Sequence, residues 1–311
     1  MGVVKSFSVG EGDMFYIKHD SDNFTVIDCC ICIDCNKCNV DEKRRGKIIR
    51  EIKEESNNKG IKRFISTHPD MDHIGGLKFL NENWKILNFY CVKNKANKED
   101  ETEDFKEYKK LRDDKEKAFY LYKGCKRKWM NISDDERKRA GIEILWSIED
   151  NEEFKKVLDD VENNNKNYNN LSPIIEYKEN KAVFIWMGDL ESNFMEKIKD
   201  EVKFENKVDV LFAPHHGRES GTIPKEWLEI MEPKLIVIGE APSENLNYYK
   251  GYVTITQNSA KDILFEEDGE YINIFVEDIT DNNKKDLIDR NLENKYGLNY
   301  LGSFEIHKAQ K

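Results

Sequence analysis

His68, Asp70, Asp72 and His73 fall within six residues, in the run His68-Pro69-Asp70-Met71-Asp72-His73-Ile74-Gly75-Gly76. Imidazoles and carboxylates at that density are metal-ligand chemistry, and they can divide between two cations, His68 with Asp70 and Asp72 with His73. The two glycines then let the chain turn away without a side chain crowding the site. Two further runs end on donors of the same kind: Trp186-Met187-Gly188-Asp189 on a carboxylate, and Phe212-Ala213-Pro214-His215-His216-Gly217 on two imidazoles. Four of the six histidines lie in these clusters, a concentration that scattered surface histidines seldom produce. The rival reading is a polar turn at 68–73 whose Asp and His cap the next helix. The matching donors at 189 and 215–216 weigh against it.

Donors so far apart in sequence meet only if the fold brings them together. Residues 63–67, 182–187, 208–213 and 235–238 are short apolar runs of the kind that form buried strands. In an α/β sheet, residues just past the carboxyl ends of neighbouring strands face one crevice, so the three donor groups are expected to converge. The N-terminal part reads as antiparallel strands at 3–9, 14–17 and 24–28 around a Gly10-Glu11-Gly12-Asp13 turn. Ile48, Ile49 and Ile52 mark one face of a helix at 47–59, and further helices are expected at 77–80, at 194–202 and from about Pro224. Residues 98–140 break the alternation. Their dense charge, with Phe105, Tyr108, Leu111, Phe119 and Leu121 at loosely helical spacing, predicts a mostly helical insertion. Residues 163–170 form a polar loop too short to part domains, and no repeat or Pro-rich linker appears. The 311 residues are therefore expected to form a single α/β domain interrupted by 98–140.

Composition narrows the function classes. Charged residues make up 36% of the chain, the formal net charge is -11, and no run approaches the 18 or so apolar residues of a membrane helix. No basic-then-apolar leader opens the chain, so secretion and membrane spanning are not expected. Five of the seven cysteines crowd between Cys29 and Cys38. An odd, clustered set argues against a disulfide framework and for free thiols in a reducing cytosol, and Cys32-x-x-Cys35-x-x-Cys38 lacks a distant fourth partner for a structural metal. Basic charge exceeds acidic only in residues 93–140, with 16 Lys or Arg against 12 Asp or Glu. There Lys126 and Arg127, in the knot 123–129, can guide a phosphate-bearing substrate, although charge runs are more often solvated faces. Tyr248 is a candidate pocket wall.

With those residues in place, the chain resembles the metallo-β-lactamase superfamily, and within it the ComEC-like hydrolases. The likeness rests on His68-x-Asp70-x-Asp72-His73, Gly188-Asp189 and Pro214-His215-His216-Gly217, in that order after Val9-Gly10-Glu11-Gly12-Asp13. It implies an αββα sandwich with a two-metal site at one edge of the sheets. Carried over, His68 and Asp70 hold one divalent ion, Asp72 and His73 the other, Asp189 bridges, and His215 completes the set. His216 then faces substrate or supports a ligand, although neighbours on an extended segment point opposite ways, which leaves open which of the pair binds metal. Asn170 matches an Asn-rich element of the same branch and is expected to face the site. The chain departs from many superfamily members in having Asp70 where they have His, and in having no His between His73 and His215. Extra carboxylate makes the site harder, suiting Mn²⁺ or Fe²⁺ as well as Zn²⁺. Such a pair of ions implies attack by a bridging hydroxide, with Asp72 handling the proton. The expected function is thus a cytosolic binuclear phosphodiesterase acting on nucleic acid or a nucleotide. The alternatives are a hydrolase of a carboxylic ester, lactone or thioester, and a non-catalytic module that binds partners through 93–140.

Overall fold

Two sheets stack face to face in the computed structural model, which describes residues 2–33, 35–163, 167–178, 180–242, 247–280, 284 and 286–308. In chain order the strands are β1 (Val3–Ser6), β2 (Phe15–Lys18), β3 (Phe24–Ile27), β4 (Cys29–Cys30), β5 (Arg63–Ile65), β6 (Phe89–Val92), β7 (Ala118–Leu121), β8 (Ile142–Trp146), β9 (Ile174–Tyr177), β10 (Phe184–Trp186), β11 (Val210–Phe212), β12 (Leu235–Ile238), β13 (Thr254–Thr256), β14 (Ile263–Glu267), β15 (Tyr271–Val276) and β16 (Asn299–Glu305). One sheet runs β16-β15-β14-β1-β2-β3-β5-β6-β7 and the other β13-β12-β11-β10-β9-β8. The expected antiparallel opening is present, with β1 on β2 and β2 on β3.

Alternation along the strands explains the layering. Ile65 and Tyr90 point between the sheets and pack with Phe15, Trp186 and Phe212, while Phe64, Phe89 and Cys91 point outward into a second apolar cluster. That outer cluster is covered by the helix Glu42–Glu55, which buries Ile48, Ile49 and Ile52 and is capped by Asp41, whose Oδ1 accepts from the Arg44 N–H at 2.6 Å. Short helices cover the smaller sheet: Ser192–Ile198 buries Phe194, Met195 and Ile198, and Lys225–Met231 buries Trp227, Leu228 and Met231. The chain is an α/β sandwich.

Parallel pairing positions the site. β3, β5, β6 and β7 run parallel in one sheet, and β10, β11, β12 and β13 in the other. Every carboxyl end in each group therefore reaches one edge. Beneath that edge Trp186 stacks on Phe212 at 4.7 Å and Phe15 meets Phe212 edge-on at 4.9 Å, locking the two sheets together under the donor-bearing loops.

Two expectations need correction. Segment 98–140 is not mostly helical: it holds the helix Glu103–Arg112 and then β7, which pairs with β6 as the outer strand of the larger sheet, and 123–140 is turns and bridges. The short aromatic run Ala118-Phe119-Tyr120-Leu121 offers a pleated, half-buried surface to β6, and that pairing overrides a weak helical spacing. Nor are all the cysteines free thiols, since Cys30 and Cys38 are joined in a disulfide. The 31–40 loop folds back so that Cys38 bridges to Gly10 beside Cys30. Among the described residues no helix is long and apolar enough to cross a membrane. Part of the 163–170 loop and residues 244–246 lie outside the described residues.

Candidate metal centre

The Asp189 carboxylate is where the two sheets' donors meet. It follows β10 on a turn that only Gly188 allows: φ there is +50°, and a Cβ would lie 2.5 Å from Ser172 Oγ and 2.9 Å from Thr67 Cβ. Its two oxygens face different partners. Oδ1 lies 3.0 Å from His73 Nε2 and 3.7 Å from His216 Nε2. Oδ2 lies 3.9 Å from His68 Nε2 and 3.7 Å from His215 Nε2, and His68 Nε2 is also 3.7 Å from Asp70 Oδ2. Donor atoms of Asp72, His73, Asp189 and His216 all lie within 4.8 Å of one another. The three sequence-distant segments do converge, and they do so as two donor sets sharing one carboxylate.

The neighbouring imidazoles are not on extended chain. His215 has φ 51° and His216 φ 56°, two left-handed residues in succession. For residues with a Cβ this is strained backbone of the kind that collects at functional sites. The turn points both rings at Asp189, so the premise that only one of the two can reach the site does not hold. The side chain of His216 is 0% exposed and that of His215 16%, so His215 stands on the solvent side.

Behind the donors lies a buried support that fixes their orientation. Asp28, just past β3, accepts from the Thr67 backbone N–H at 2.8 Å and from its hydroxyl at 2.7 Å, and receives His73 Nδ1 at 2.9 Å. A carboxylate on the far nitrogen turns the near nitrogen outward as a ligand. His68 Nδ1 is held by Thr67 Oγ1 at 3.2 Å and Ser172 Oγ at 3.3 Å, and Ser172 Oγ also accepts from the Asp189 N–H at 3.1 Å. His216 Nδ1 meets Asp13 at 3.2 Å and His215 Nδ1 meets Ser220 Oγ at 2.8 Å. Each of the four rings thus turns Nε2 toward the shared carboxylate.

Burial opposes protonation of His73 and His216, yet Asp189 with Asp28, and Asp189 with Asp13, hold the two rings above the usual imidazole range. His68 Nε2, His73 Nε2, His216 Nε2 and Asp189 Oδ1 are buried without a hydrogen bond, the 3.0 Å approach being a charge contact rather than an aligned bond. Orphaned buried polar atoms are rare, and four aimed at one space fit a cation. Burial and the adjacent His73 hold His68 well below the usual imidazole range, leaving a lone pair for a ligand bond. Burial opposes ionisation of Asp189 and Asp72, yet His73 and His216 hold Asp189 well below the ordinary carboxylate value, and His73 with Lys37 brings Asp72 to about 2. Lys37 Nζ sits 2.5 Å from Asp72 Oδ2 and Lys98 Nζ 3.3 Å from Asp70 Oδ1, ammonium groups against two of the outer carboxylates. The residues present can hold two divalent ions.

Other candidates fall elsewhere. Asn170 does not face the donors; its side chain bonds Glu191 Oε2 at 2.9 Å and the Glu191 N–H at 3.1 Å, pinning the loop after Asp189, while its neighbour Ser172 touches His68. Tyr248 reaches Glu219 at 3.5 Å, beside the His215 turn rather than among the ligands. Lys126 and Arg127 are far from the donors. After β7 the chain doubles back along β8, Gly124 bonding Ile144 and Met130 bonding Ile142, which carries the basic knot to the amino ends of the strands. Asp28, Asp13, Ser172 and Lys37 were not singled out by sequence as site residues. Asp28 ends a strand just as Asp189 does, which is a legible signal; Lys37, in a Cys-rich loop, offers none.

Solved structures of similar shape include Igni18, a metallo hydrolase from the hyperthermophilic archaeon Ignicoccus hospitalis KIN4/I, 14% identical over 86% of this chain and 100% of that one at a TM-score of 0.47. A mutant of the CmlA beta-hydroxylase is 8% identical over 86% of this chain and 54% of that one, with a TM-score of 0.49. No curated protein matches the chain. Residues 41–199, about half of the chain and inclusive of the 68–73 ligand loop and Asp189, match the metallo-beta-lactamase superfamily, and it is to this superfamily that the chain belongs.

Proposed function

We propose that the protein is a binuclear metal-dependent phosphodiesterase acting on nucleic acid or a nucleotide. The observation that carries the reading is the division of Asp189, one oxygen toward His73 and His216, the other toward His68 and His215. In this reading His68 and Asp70 would hold one ion and Asp72, His73 and His216 the other, with Asp189 a ligand of the same set. Two such ions, when bound, supply Lewis acidity and an activated water for in-line displacement. Three carboxylates in the donor set favour hard ions such as Mn²⁺ beside Zn²⁺.

The remaining work falls to the chain itself. Asp28, Thr67 and Ser172 keep His73 and His68 in their ligand orientation. Asp72, with a carboxylate oxygen within 4.8 Å of the His73, Asp189 and His216 donor atoms, would serve as a ligand. His215, its Nδ1 on Ser220 and its ring at the solvent side, is placed to take or return a proton. Lys37 and Lys98, paired with Asp72 and Asp70, set two ammonium groups beside the donors, where an anionic substrate would meet them.

The test is turnover of single-stranded DNA, RNA and bis-p-nitrophenyl phosphate with Mn²⁺ or Zn²⁺, beside a panel of carboxylic esters, lactones and thioesters. Phosphodiester cleavage abolished by His68→Ala with Asp72→Ala supports the proposal. Cleavage that survives both changes, or turnover confined to the ester panel, overturns it.

A further inference from the structure

At the amino ends of β5 and β6, away from the metal centre, the sandwich opens into a cavity of about 610 Å³ whose lining includes Lys62, Arg63, Asn88, Tyr90, Arg127 and Trp129. Arg63 and His68 stand five residues apart on extended chain, roughly 16 Å at the rise of a strand. Lys126, Lys128 and Arg137 add to the same lining, and each has a carboxylate at the rim: Glu143 at 3.2 Å, Asp134 at 2.6 Å and Asp22 at 3.5 Å. Lys62, Arg63 and Arg127 have no ion pair among the described residues.

Arg63 is the telling member. It is 3% exposed, and its contacts are neutral: Nη1 donates to Thr25 Oγ1 at 2.9 Å, Nη2 to the Trp129 carbonyl at 3.0 Å, and the guanidinium stands 5.3 Å from the Tyr90 ring. Its Nε–H is buried without a partner. A buried guanidinium that only braces a fold is normally matched by a carboxylate, because an uncompensated charge in a poorly solvated place is strongly unfavourable. Burial pushes Arg63 below its ordinary value; the Tyr90 hydroxyl acts the other way, and Arg127 and Arg137, charges of the same sign, add to the lowering. The carbonyl that Arg63 does bond belongs to Trp129, which has φ 66°, a left-handed conformation rare for a bulky residue. Strained backbone, an orphaned donor and unmatched cations around one cavity call for the same complement, an oxyanion with several acceptor oxygens.

We propose that this cavity is a second binding site, for a phosphate-type oxyanion, either inorganic phosphate or the phosphoryl group of a small ester, held by Arg63, Arg127 and Lys62. It is distinct from the metal centre and does not depend on the hydrolase reading.

Calorimetric titration of the full chain with inorganic phosphate tests it, using Asp189→Asn with His68→Ala so that the metal centre contributes nothing. Wild-type chain stripped with chelator runs in parallel in case the double variant folds poorly. The expected result is saturable binding, weakened about tenfold by Arg127→Gln and by Lys62→Gln and lost in Arg63→Met, with metal content of the otherwise wild-type chain unchanged by these three. Titrations with glycerol phosphate and a nucleoside monophosphate separate the sources. Tighter binding of an ester supports a small ester as the occupant, and equal binding supports the free ion. Absence of saturable phosphate binding, or binding undiminished in both Arg127→Gln and Lys62→Gln, overturns the proposal; both residues lie at the cavity edge, so the outcome does not hang on the folding of Arg63→Met.

Discussion

β5 carries opposite electrostatic problems at its two ends. Past its carboxyl end, His68 and the loop to His73 meet Asp189 with ligand-type atoms buried without a hydrogen bond. At its amino end Arg63 is a buried positive charge that lacks a negative one. A third buried charge is matched by opposite charges from the fold itself. Asp262, also fully inside, accepts the Ser8 N–H at 2.9 Å, lies 3.2 Å from Lys5 Nζ and is bonded by Arg44. The fold sets two opposite charges against Asp262, although its Oδ2 makes no hydrogen bond, and sets none against Arg63 among the described residues. The lesson is that an unmatched buried charge, set against a matched one in the same core, marks where a ligand belongs.

The contrast yields predictions of graded size. The largest effect should follow Asp189→Asn, which weakens both donor sets at once: bound metal, read by elemental analysis, should fall below one ion per chain, and turnover should drop by more than the 10–100-fold or so that a supporting residue commands. Retention of two ions with full activity would remove the shared-carboxylate geometry from the reading. Next comes Asp262→Asn, expected to lower unfolding free energy by about 3 kcal/mol in urea titration by leaving Arg44 without a carboxylate and Lys5 with Glu51 alone. The same group sets an acid limit. Burial alone would raise the Asp262 carboxyl, but Lys5 and Arg44 outweigh it and hold it below its ordinary value. Its contribution is therefore whole above the unfolded pKa of about 3.9 and is lost as pH falls through the lower folded value. Urea midpoints of wild type and Asp262→Asn should accordingly converge below about pH 4; a gap that stays constant down to the acid transition would refute this.

Asp28→Asn should leave the fold intact and weaken metal binding by about 10–100-fold, because it frees the His73 ring to turn. Competition with a chromogenic chelator measures it, and unchanged affinity would mean that Thr67 and packing alone orient the ring. The smallest effect is expected at the other end of the strand. Without added oxyanion, Arg63→Met should change stability by less than about 1 kcal/mol, since removing an uncompensated charge offsets the loss of its bonds to Thr25 and Trp129. A loss as large as that of Asp262→Asn would mean that Arg63 is already fully compensated.

The donors were legible in the sequence because each group is local: His68 to His73 within one loop, Asp189 at the end of one apolar run, His215 and His216 at the end of another. Strands such as β10, β11 and β12 were legible for the same reason, being short apolar runs whose ends are marked by polar residues. β7 was not, because its four residues are held by pairing with β6, a partner some thirty positions away. Asn170 was singled out on resemblance, whereas it is the small hydroxyl of Ser172 that fits between His68 and the Asp189 backbone. The basic knot was legible as charge, but its place at the amino ends of the strands was not, since a reversal of chain direction after β7 cannot be seen in composition.

By itself, the sequence determined the chemical inventory: which groups can bind metal, that apolar strand ends present them, and that the chain has the material for an α/β sandwich. Only the tertiary structure decided how that inventory is divided. It turned both His215 and His216 inward through left-handed backbone, put Asp28 behind His73 and Lys37 against Asp72, and sent Lys126 and Arg127 to the end of β5 opposite His68. The physical reason is range. Donor identity and strand periodicity are properties of neighbouring residues, whereas orientation and pairing of charges depend on burial and on groups up to about two hundred residues away, as between Asp13 and His216.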